Sequence, residues 1–159
     1  MLKNFINSAS AKTEVDTSSL SSWLDLDKIA RVELTSEDPE HPFEEALRTD
    51  TSQGWKASTP GPQVLRLHFD EALRISRIHL RFREESVERS QEIALIATFD
   101  GGPARELVRQ QWTFSPNGAM TEEETYFFDL KSVTSIELQI DPGRHNKQAY
   151  ATLQTIQIG

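Results

Sequence analysis

Residues 62–82 read PQVLRLHFDEALRISRIHLRF, and this stretch decides the fold class. Apolar side chains alternate with polar ones in two runs, the first around Leu65 and Leu67 and the second around Ile78 and Leu80. A period of two residues is typical of a β-strand with one buried face, because successive side chains point to opposite sides of a sheet. We therefore predict two strands here, each with one face in the core.

Similar patterns recur on both sides of this stretch. Residues 29–35 (IARVELT) alternate in the same way, and residues 93–99 (IALIATF) end at the turn signal Asp100-Gly101-Gly102. Further strands are expected around residues 112–114, 126–130, 136–140 and 153–158, with a turn at Ser115-Pro116-Asn117-Gly118 and one helical turn at residues 43–47. Many short strands with turn residues between them favour an all-β fold, an antiparallel β-sandwich of the jelly-roll type.

This architecture predicts both the core and the domain boundary. Residues 1–28 are rich in Ser and Thr and are expected to be a lead-in, with Trp23 packing onto the edge of a single domain at residues 29–159. The side chains expected to be buried are Leu65, Leu67, Ile78, Leu80, Phe82, Ile93, Leu95, Ile136, Leu138 and Ile156.

Composition narrows the classes of partner. A chain of 159 residues is of single-domain size, and its net charge of −8 disfavours binding to nucleic acids and anionic membranes. The absence of cysteine excludes disulfides and thiolate metal sites and fits a reducing compartment. The first residues lack the apolar stretch of a signal peptide, and no apolar run is long enough to span a membrane. We therefore expect a cytoplasmic protein.

No sequence pattern indicates catalysis. The histidines, at positions 41, 68, 79 and 145, are too far apart for a zinc motif, and neither a GxSxG nor a phosphate-binding glycine loop occurs. The paired carboxylates, such as Glu84-Glu85, lie in polar stretches typical of a solvated surface. We expect no catalytic residue, no cofactor and no metal, and hence a protein that is not an enzyme.

One concentration of positive charge stands out. Arg77, His79 and Arg81 alternate with apolar residues and therefore share one exposed face of a strand. Such a stripe either keeps an outer face soluble or contacts an anionic partner, and the nearby acids Glu84, Glu85 and Glu88 would neutralise much of it.

Several segments together resemble the galactose-binding-like superfamily, that is, the discoidin or coagulation-factor C-type domains. ALRTDTSQGW (residues 46–55) resembles the family's ALDGDxxTxW segment. The stretch quoted first resembles the family's strand, short turn at Asp70-Glu71 and second strand. The ending, TSIELQIDPGRHNKQAYATLQTIQIG, resembles its closing strands. The likeness covers residues 29–159 and implies the same β-sandwich.

The resemblance also shows which residues of the family's calcium-binding segment this chain lacks. Many members of the superfamily bind a structural calcium ion through the Asp-Gly-Asp segment. In this chain Arg48, Thr49 and Gln53 replace three residues of that pattern, and Asp50 and Trp55 remain. A guanidinium in the place of a ligating carboxylate repels Ca²⁺, so no calcium site is expected.

The ligand site is expected in loops at one end of the sandwich, because binding residues commonly lie in loops on a rigid scaffold. Related domains hold the loops corresponding to residues 40–53 and 141–150 close together, which implies one shallow pocket. The candidate ligand-binding residues have side chains suited to hydroxyl-rich ligands or peptides; they are His41, Arg48, Asp50, Arg89, Trp112, Arg144, His145, Asn146 and Tyr150.

Three kinds of function stay open from the sequence. The first is a non-catalytic carbohydrate-binding module, as in the modules of bacterial glycosidases. The second is a protein-binding adaptor of the kind formed by the DOC domain of the anaphase-promoting complex. The third is a module similar to the N-terminal domain of a single-strand-break repair scaffold. The expected partner is thus a glycan or a protein.

Overall fold

The computed structural model describes residues 1–5, 22–49 and 53–159. These residues form nine β-strands and two short helical segments. The strands are β1 (Leu2–Asn4), β2 (Ala30–Leu34), β3 (Trp55–Lys56), β4 (Gln63–Arg83), β5 (Arg89–Phe99), β6 (Ala104–Phe114), β7 (Thr121–Asp141), β8 (Thr152–Leu153) and β9 (Thr155–Ile158). The helical segments are α1 (Leu26–Ile29) and a 3-10 helix, Phe43–Leu47, where one helical turn was predicted.

Strands β4 and β7 are 21 residues long and pair antiparallel from Gln63–Ile140 to Arg83–Thr121. The register shifts at several points in the middle of this pair. In β4 the buried positions change from odd to even numbers between Ile75 and Ile78, as expected where a β-bulge inserts one residue. The turn expected at Asp70-Glu71 is therefore wrong: the chain continues as one irregular strand.

The two long strands take part in both layers of a sandwich. Residues 63–69 of β4 and 133–141 of β7 lie in a layer ordered β1-β2-β4-β7-β5-β6. Residues 73–83 of β4 and 121–130 of β7 form the second layer with β9. All neighbours in these layers are antiparallel except β1, which runs parallel to β2. The predicted β-sandwich is confirmed.

The core lies between the two layers. All ten side chains that the sequence placed there are buried, with at most 3% of each exposed. Phe82 of the second layer contacts Trp112 of the first, with 5.0 Å between the ring centroids. Tyr126 also crosses between the layers by donating a hydrogen bond to Oε1 of Gln110. These contacts hold the two layers face to face.

The turns predicted at residues 100–102 and 115–118 are present. Gly101 has a φ of +71° in the β5–β6 hairpin, a conformation that glycine adopts without steric cost. The second turn is closed by the N–H of Gly118, which donates to the carbonyl of Ser115 at 3.0 Å.

Strand β2 is more buried than its alternating pattern indicated. All five of its residues are buried, including Arg31 and Glu33. Glu33 contacts His68 and lies 3.4 Å from Arg66 on the outer face of the first layer. Burial alone would raise the pKa of Glu33, but these two partners outweigh it and hold the pKa below its ordinary value.

The lead-in packs on the domain where it is described. The N–H of Leu24 donates to the carbonyl of Ile158 at 2.8 Å, and Leu26 is buried. Trp23 lies over Arg77, whose guanidinium carbon is 3.7 Å from the ring centroid. Strand β1 was not expected, since three residues give no recognisable period. Within the described residues no helix is long and apolar enough to cross a membrane.

Replacing Phe82 by alanine is expected to lower the free energy of unfolding by about 3–5 kcal/mol, because the substitution leaves a cavity between the layers. Urea denaturation followed by far-UV circular dichroism measures the loss. Phe127→Ala is the matched control: this side chain is 76% exposed, so its variant should unfold like the wild type. Equal stability of the two variants would contradict the proposed core.

Candidate functional site

A buried arginine joins the connections at one end of the sandwich. The side chain of Arg89 is 1% exposed, and its Nε donates to Glu84 at 2.8 Å. One terminal nitrogen donates to Gln91 and to the carbonyl of Pro142, both at 2.8 Å, and the other lies 3.5 Å from Thr152. The guanidinium therefore ties the β4–β5 connection to the loop after β7 and to β8.

Glu84 is the charge partner of this arginine. Burial alone would raise the pKa of Glu84, but hydrogen bonds from Arg89 and Ser86 outweigh it and hold the pKa below its ordinary value. The carboxylate thus stays ionised at neutral pH. The ring centroid of Phe114, which is buried, lies 4.9 Å from the guanidinium carbon of Arg89.

Two clefts lie on either side of this arginine. The larger, here called the loop-end cleft, has a volume of about 530 Å³. The side chains that line it are charged or can form hydrogen bonds. They come from four parts of the chain: the loop before β3, β3 itself, the end of β4 with the connection that follows, and β8 with the next residue. They are His41, Gln53, Lys56, Arg83, Glu84, Glu85, Ser86, Thr152 and Gln154.

Short backbone bridges hold the walls of the loop-end cleft. The N–H of Lys56 donates to the carbonyl of His41 at 3.2 Å, and β3 pairs with β8. On the far side of β3 the N–H of Ala57 donates to the carbonyl of Ala151 at 3.0 Å. The loop that contains His41 therefore lies on one side of β3. The segment that ends near Tyr150 lies on the other side of β3, next to β8.

The side chains in and beside the loop-end cleft provide charged groups, hydrogen-bonding groups and an aromatic ring. The ammonium of Lys56 lies 5.6 Å from the ring centroid of Tyr150, which is 41% exposed. His41 holds its Nδ1 3.4 Å from the carboxylate of Asp38. The backbone N–H of Glu40 and the His41 side chain lower the pKa of Asp38. Donors, acceptors and one aromatic face thus meet at this rim.

The second cleft, here called the His145 cleft, has a volume of about 230 Å³. It is lined by Glu88, Arg89, Ser90, Thr113, Gly143, His145 and Asn146. The loop is tight at Gly143, where a Cβ atom would lie 2.5 Å from the carbonyl oxygen of Asn146. This close approach requires glycine at position 143 and keeps the backbone of the loop compact from Gly143 to Asn146.

The structure separates the residues that the sequence grouped. His41 lines the loop-end cleft, whereas His145 and Asn146 line the other cleft. Tyr150 lies beside Lys56, one of the residues that line the loop-end cleft. Arg144 turns away along the outer face of the first layer, where it lies 3.1 Å from Glu92 and 2.9 Å from Gln111.

Two candidates are placed otherwise than the sequence indicated, a third lies in another cleft, and a fourth is outside the described residues. Trp112 is 8% exposed and packs on Phe82, so its ring forms part of the core and not of an open pocket wall. Arg89 holds the loops in place, because its donors are already engaged. Arg48 lies 3.9 Å from Glu45, in a separate cleft beside the lead-in. Asp50 lies outside the described residues.

Sequence reasoning missed Lys56 and Gln154 as cleft residues. Lys56 directly follows the tryptophan of the ALRTDTSQGW segment, and a two-residue strand has no period that would assign its direction. Within residues 1–5, 22–49 and 53–159, no three His, Cys, Asp or Glu side chains form a group that could hold a metal ion.

Arg89→Met is expected to cost about 1–3 kcal/mol in free energy of unfolding, because it leaves the half-buried carboxylate of Glu84 and the carbonyl of Pro142 without their donor. Arg144→Met is the matched control: its ion pair is 44% exposed on the arginine side and should matter by less than about 1 kcal/mol. Urea titrations of both variants measure the difference. A loss no larger for Arg89→Met than for Arg144→Met would contradict the role given to Arg89.

The loss of stability caused by Arg89→Met should depend on pH. Because the pKa of Glu84 is lowered in the folded protein, its contribution is complete above the ordinary value of 4.5 and is lost as the pH falls through the folded pKa. The gap between wild type and Arg89→Met should therefore narrow below pH 4.5. A gap that stays constant from pH 7 to pH 3 would assign the effect to packing alone.

Calcium is expected to leave the stability unchanged, since Arg48 stands where the related segments carry an acid. Thermal melts with EDTA and with excess calcium should agree within about 1 °C, as for a protein whose folded state binds no ion. A rise of several degrees with calcium would show that a site persists.

Comparison with known proteins gives structural matches only. No family model matches the chain, and neither does any curated protein sequence. The family 32 carbohydrate-binding module of C. perfringens NanJ, solved in complex with galactose, has a TM-score of 0.61 at 17% identity, covering 81% of this chain and 92% of that one.

Two further solved structures are similar. CBM32-3 from a family 31 glycoside hydrolase of Clostridium perfringens has a TM-score of 0.63 at 15% identity, over 86% of this chain and 93% of that one. A pectin-binding carbohydrate-binding module has a TM-score of 0.60 at 20% identity, over 83% of this chain and 91% of that one. At such identities the similarity shows the fold alone: this chain has the galactose-binding-like, or discoidin, β-sandwich fold.

Proposed function

We propose that the protein is a non-catalytic carbohydrate-binding module that takes its ligand in the loop-end cleft. The observation that carries this proposal is the ammonium of Lys56 beside the exposed ring of Tyr150, in a cleft that His41 and Gln154 also line. Charged and amide groups hydrogen-bond to sugar hydroxyls, and an aromatic face packs against the C–H surface of a sugar ring.

The fold supports the same conclusion. The similar modules are non-catalytic domains, and several were solved with sugars: galactose, GalNAc-β-1,3-galactose and 4,5-unsaturated mannuronic acid. A rigid frame also favours sugar binding, because a small ligand makes few contacts and cannot compensate for the ordering of a loose loop. Arg89 and the β3–β8 pair provide that frame.

Of the two clefts, the loop-end cleft is the better candidate. It has more than twice the volume of the His145 cleft, about 530 Å³ against about 230 Å³. An exposed aromatic ring also lies beside one of its lining residues: the ring centroid of Tyr150 is 5.6 Å from the ammonium of Lys56. The His145 cleft is the second candidate, because His145 and Asn146 offer a titratable ring and an amide.

A glycan array identifies a ligand, and titration calorimetry then tests the site. Lys56→Met keeps the apolar stem of the side chain and removes only its charge. Combined with His41→Ala, it should weaken binding at least about tenfold, since charged hydrogen bonds are lost. The melting temperature should stay close to that of the wild type.

His145→Ala with Asn146→Ala is the comparison variant and should bind as the wild type does. If this variant loses binding while the Lys56 variant keeps it, the ligand lies in the His145 cleft. If the array is blank and a pull-down instead retains a protein that the Lys56 variant releases, the adaptor function replaces the proposed one.

A further inference from the structure

The charges that line the loop-end cleft are matched in pairs, with one exception. Both oxygens of Glu84 are engaged: one accepts a hydrogen bond from Nε of Arg89, and the other accepts from Ser86. Glu85 accepts a hydrogen bond from Nε of Arg83 at 2.5 Å. Neither ion pair leaves a net charge, so neither favours an ionic ligand over a neutral one.

Lys56 is the exception. Among the described residues no carboxylate lies within ion-pair distance of its ammonium, and the contact that the structure shows for this group is the ring of Tyr150, at 5.6 Å. The N–H of Glu40, then His41 and then the charge of Lys56 lower the pKa of Asp38, whose carboxylate is bonded to that N–H and lies 3.4 Å from His41. An aromatic ring attracts a cation but carries no net charge, so Lys56 has no ion-pair partner in the cleft.

The backbone fixes the position of Lys56 before any ligand binds. Trp55 is fully buried, and successive side chains of a strand point to opposite sides, so Lys56 points away from the core. The N–H of Lys56 donates to the carbonyl of His41 at 3.2 Å, and its carbonyl accepts from the N–H of Asp38 at 2.8 Å. Lys56 also pairs with Thr152 of β8. A ligand therefore does not have to order this strand.

A half-buried cation without a counter-charge favours an anionic ligand. The ammonium of Lys56 has three N–H donors, and its partial removal from water strengthens its attraction for a negative charge. Sugar hydroxyls would satisfy the donors but would leave the charge unbalanced. We propose that the loop-end cleft takes an acidic sugar, in which one singly charged group, a carboxylate or a sulfate ester, pairs with Lys56. This inference rests on the proposed function and names its class of sugar.

The cleft favours one charge on the ligand and not a series of charges. Lys56 supplies one unpaired positive charge, whereas Thr152 and Gln154 in the same cleft carry a hydroxyl and an amide, which suit sugar hydroxyls. The whole chain has a net charge of −8, which repels a polymer with an anionic group on every unit. The ligand that matches these charges is an acidic monosaccharide or a sugar chain with a single acidic unit.

Sugars that differ only in charge test the inference. Galactose, glucose and mannose are each presented as the neutral sugar, as the uronic acid and as the 6-sulfate, and titration calorimetry follows for those that bind. For a given ring the acidic form should bind about tenfold more tightly, because it adds a hydrogen bond between two charged groups. The form that binds best identifies the group as a carboxylate or a sulfate. The preference should shrink as the salt concentration rises from about 0.05 to 0.5 M.

Lys56→Met should abolish the preference for the acidic form, because it removes the charge and keeps the apolar stem. The melting temperature of this variant should match that of the wild type, since no ion pair is lost. Lys28→Met is the matched control: it is the same substitution in α1, where the lysine side chain is 79% exposed and lies outside the cleft. This control should keep the full preference for the acidic form.

The outcomes separate this inference from the proposed function. If the neutral and acidic forms bind the wild type equally, the inference is wrong and the proposed function stands. If the preference persists in Lys56→Met, the anionic group is held elsewhere and the inference is also wrong. If acetate or sulfate ions compete as effectively as the acidic sugar does, the cleft holds an anion and not a sugar. If no sugar binds in any form, the proposed function fails and this inference fails with it.

Discussion

The pairing of β4 with β7 is the constraint on which the rest of the molecule depends. The two strands form one long ladder that is irregular in its middle, and its halves lie in opposite layers. Folding the ladder in this way brings its two ends together, so that Arg83 at one end and Asp141 at the other open into neighbouring loops. The contact of Arg89 with both Glu84 and the carbonyl of Pro142 shows that these loops meet.

Arg89 gives that meeting point its rigidity. A buried guanidinium is tolerated only when nearly all its donors have partners, and here those partners come from three separate segments of chain. Moving any of the segments would expose or orphan a charge. These hydrogen bonds therefore hold the loops in one arrangement, and Lys56 and His41 keep their spacing at the cleft.

The sequence predicts the strands, turns and core well, because a period of two is a direct consequence of burying one face of a strand. It does not distinguish a bulge from a turn at Asp70-Glu71, since both interrupt the alternation with polar residues. It also cannot show that Trp112 faces the core and that Arg89 is buried, because aromatic and guanidinium side chains suit a binding loop equally well. These assignments depend on contacts between residues distant in sequence, such as Trp112 with Phe82 and Arg89 with Pro142.

The same alternation that builds the core also determines where charge can accumulate. Along β4 the even positions from Ile78 to Phe82 fill the interior, so the odd positions from Arg77 to Arg83 necessarily share one outer surface. The arginines at these positions are matched by acids on the same surface: Arg83 is paired with Glu85, and Arg81 lies 3.5 Å from Glu123. Because Arg83 and Glu85 also line the loop-end cleft, this matching of charges continues to the wall of the cleft.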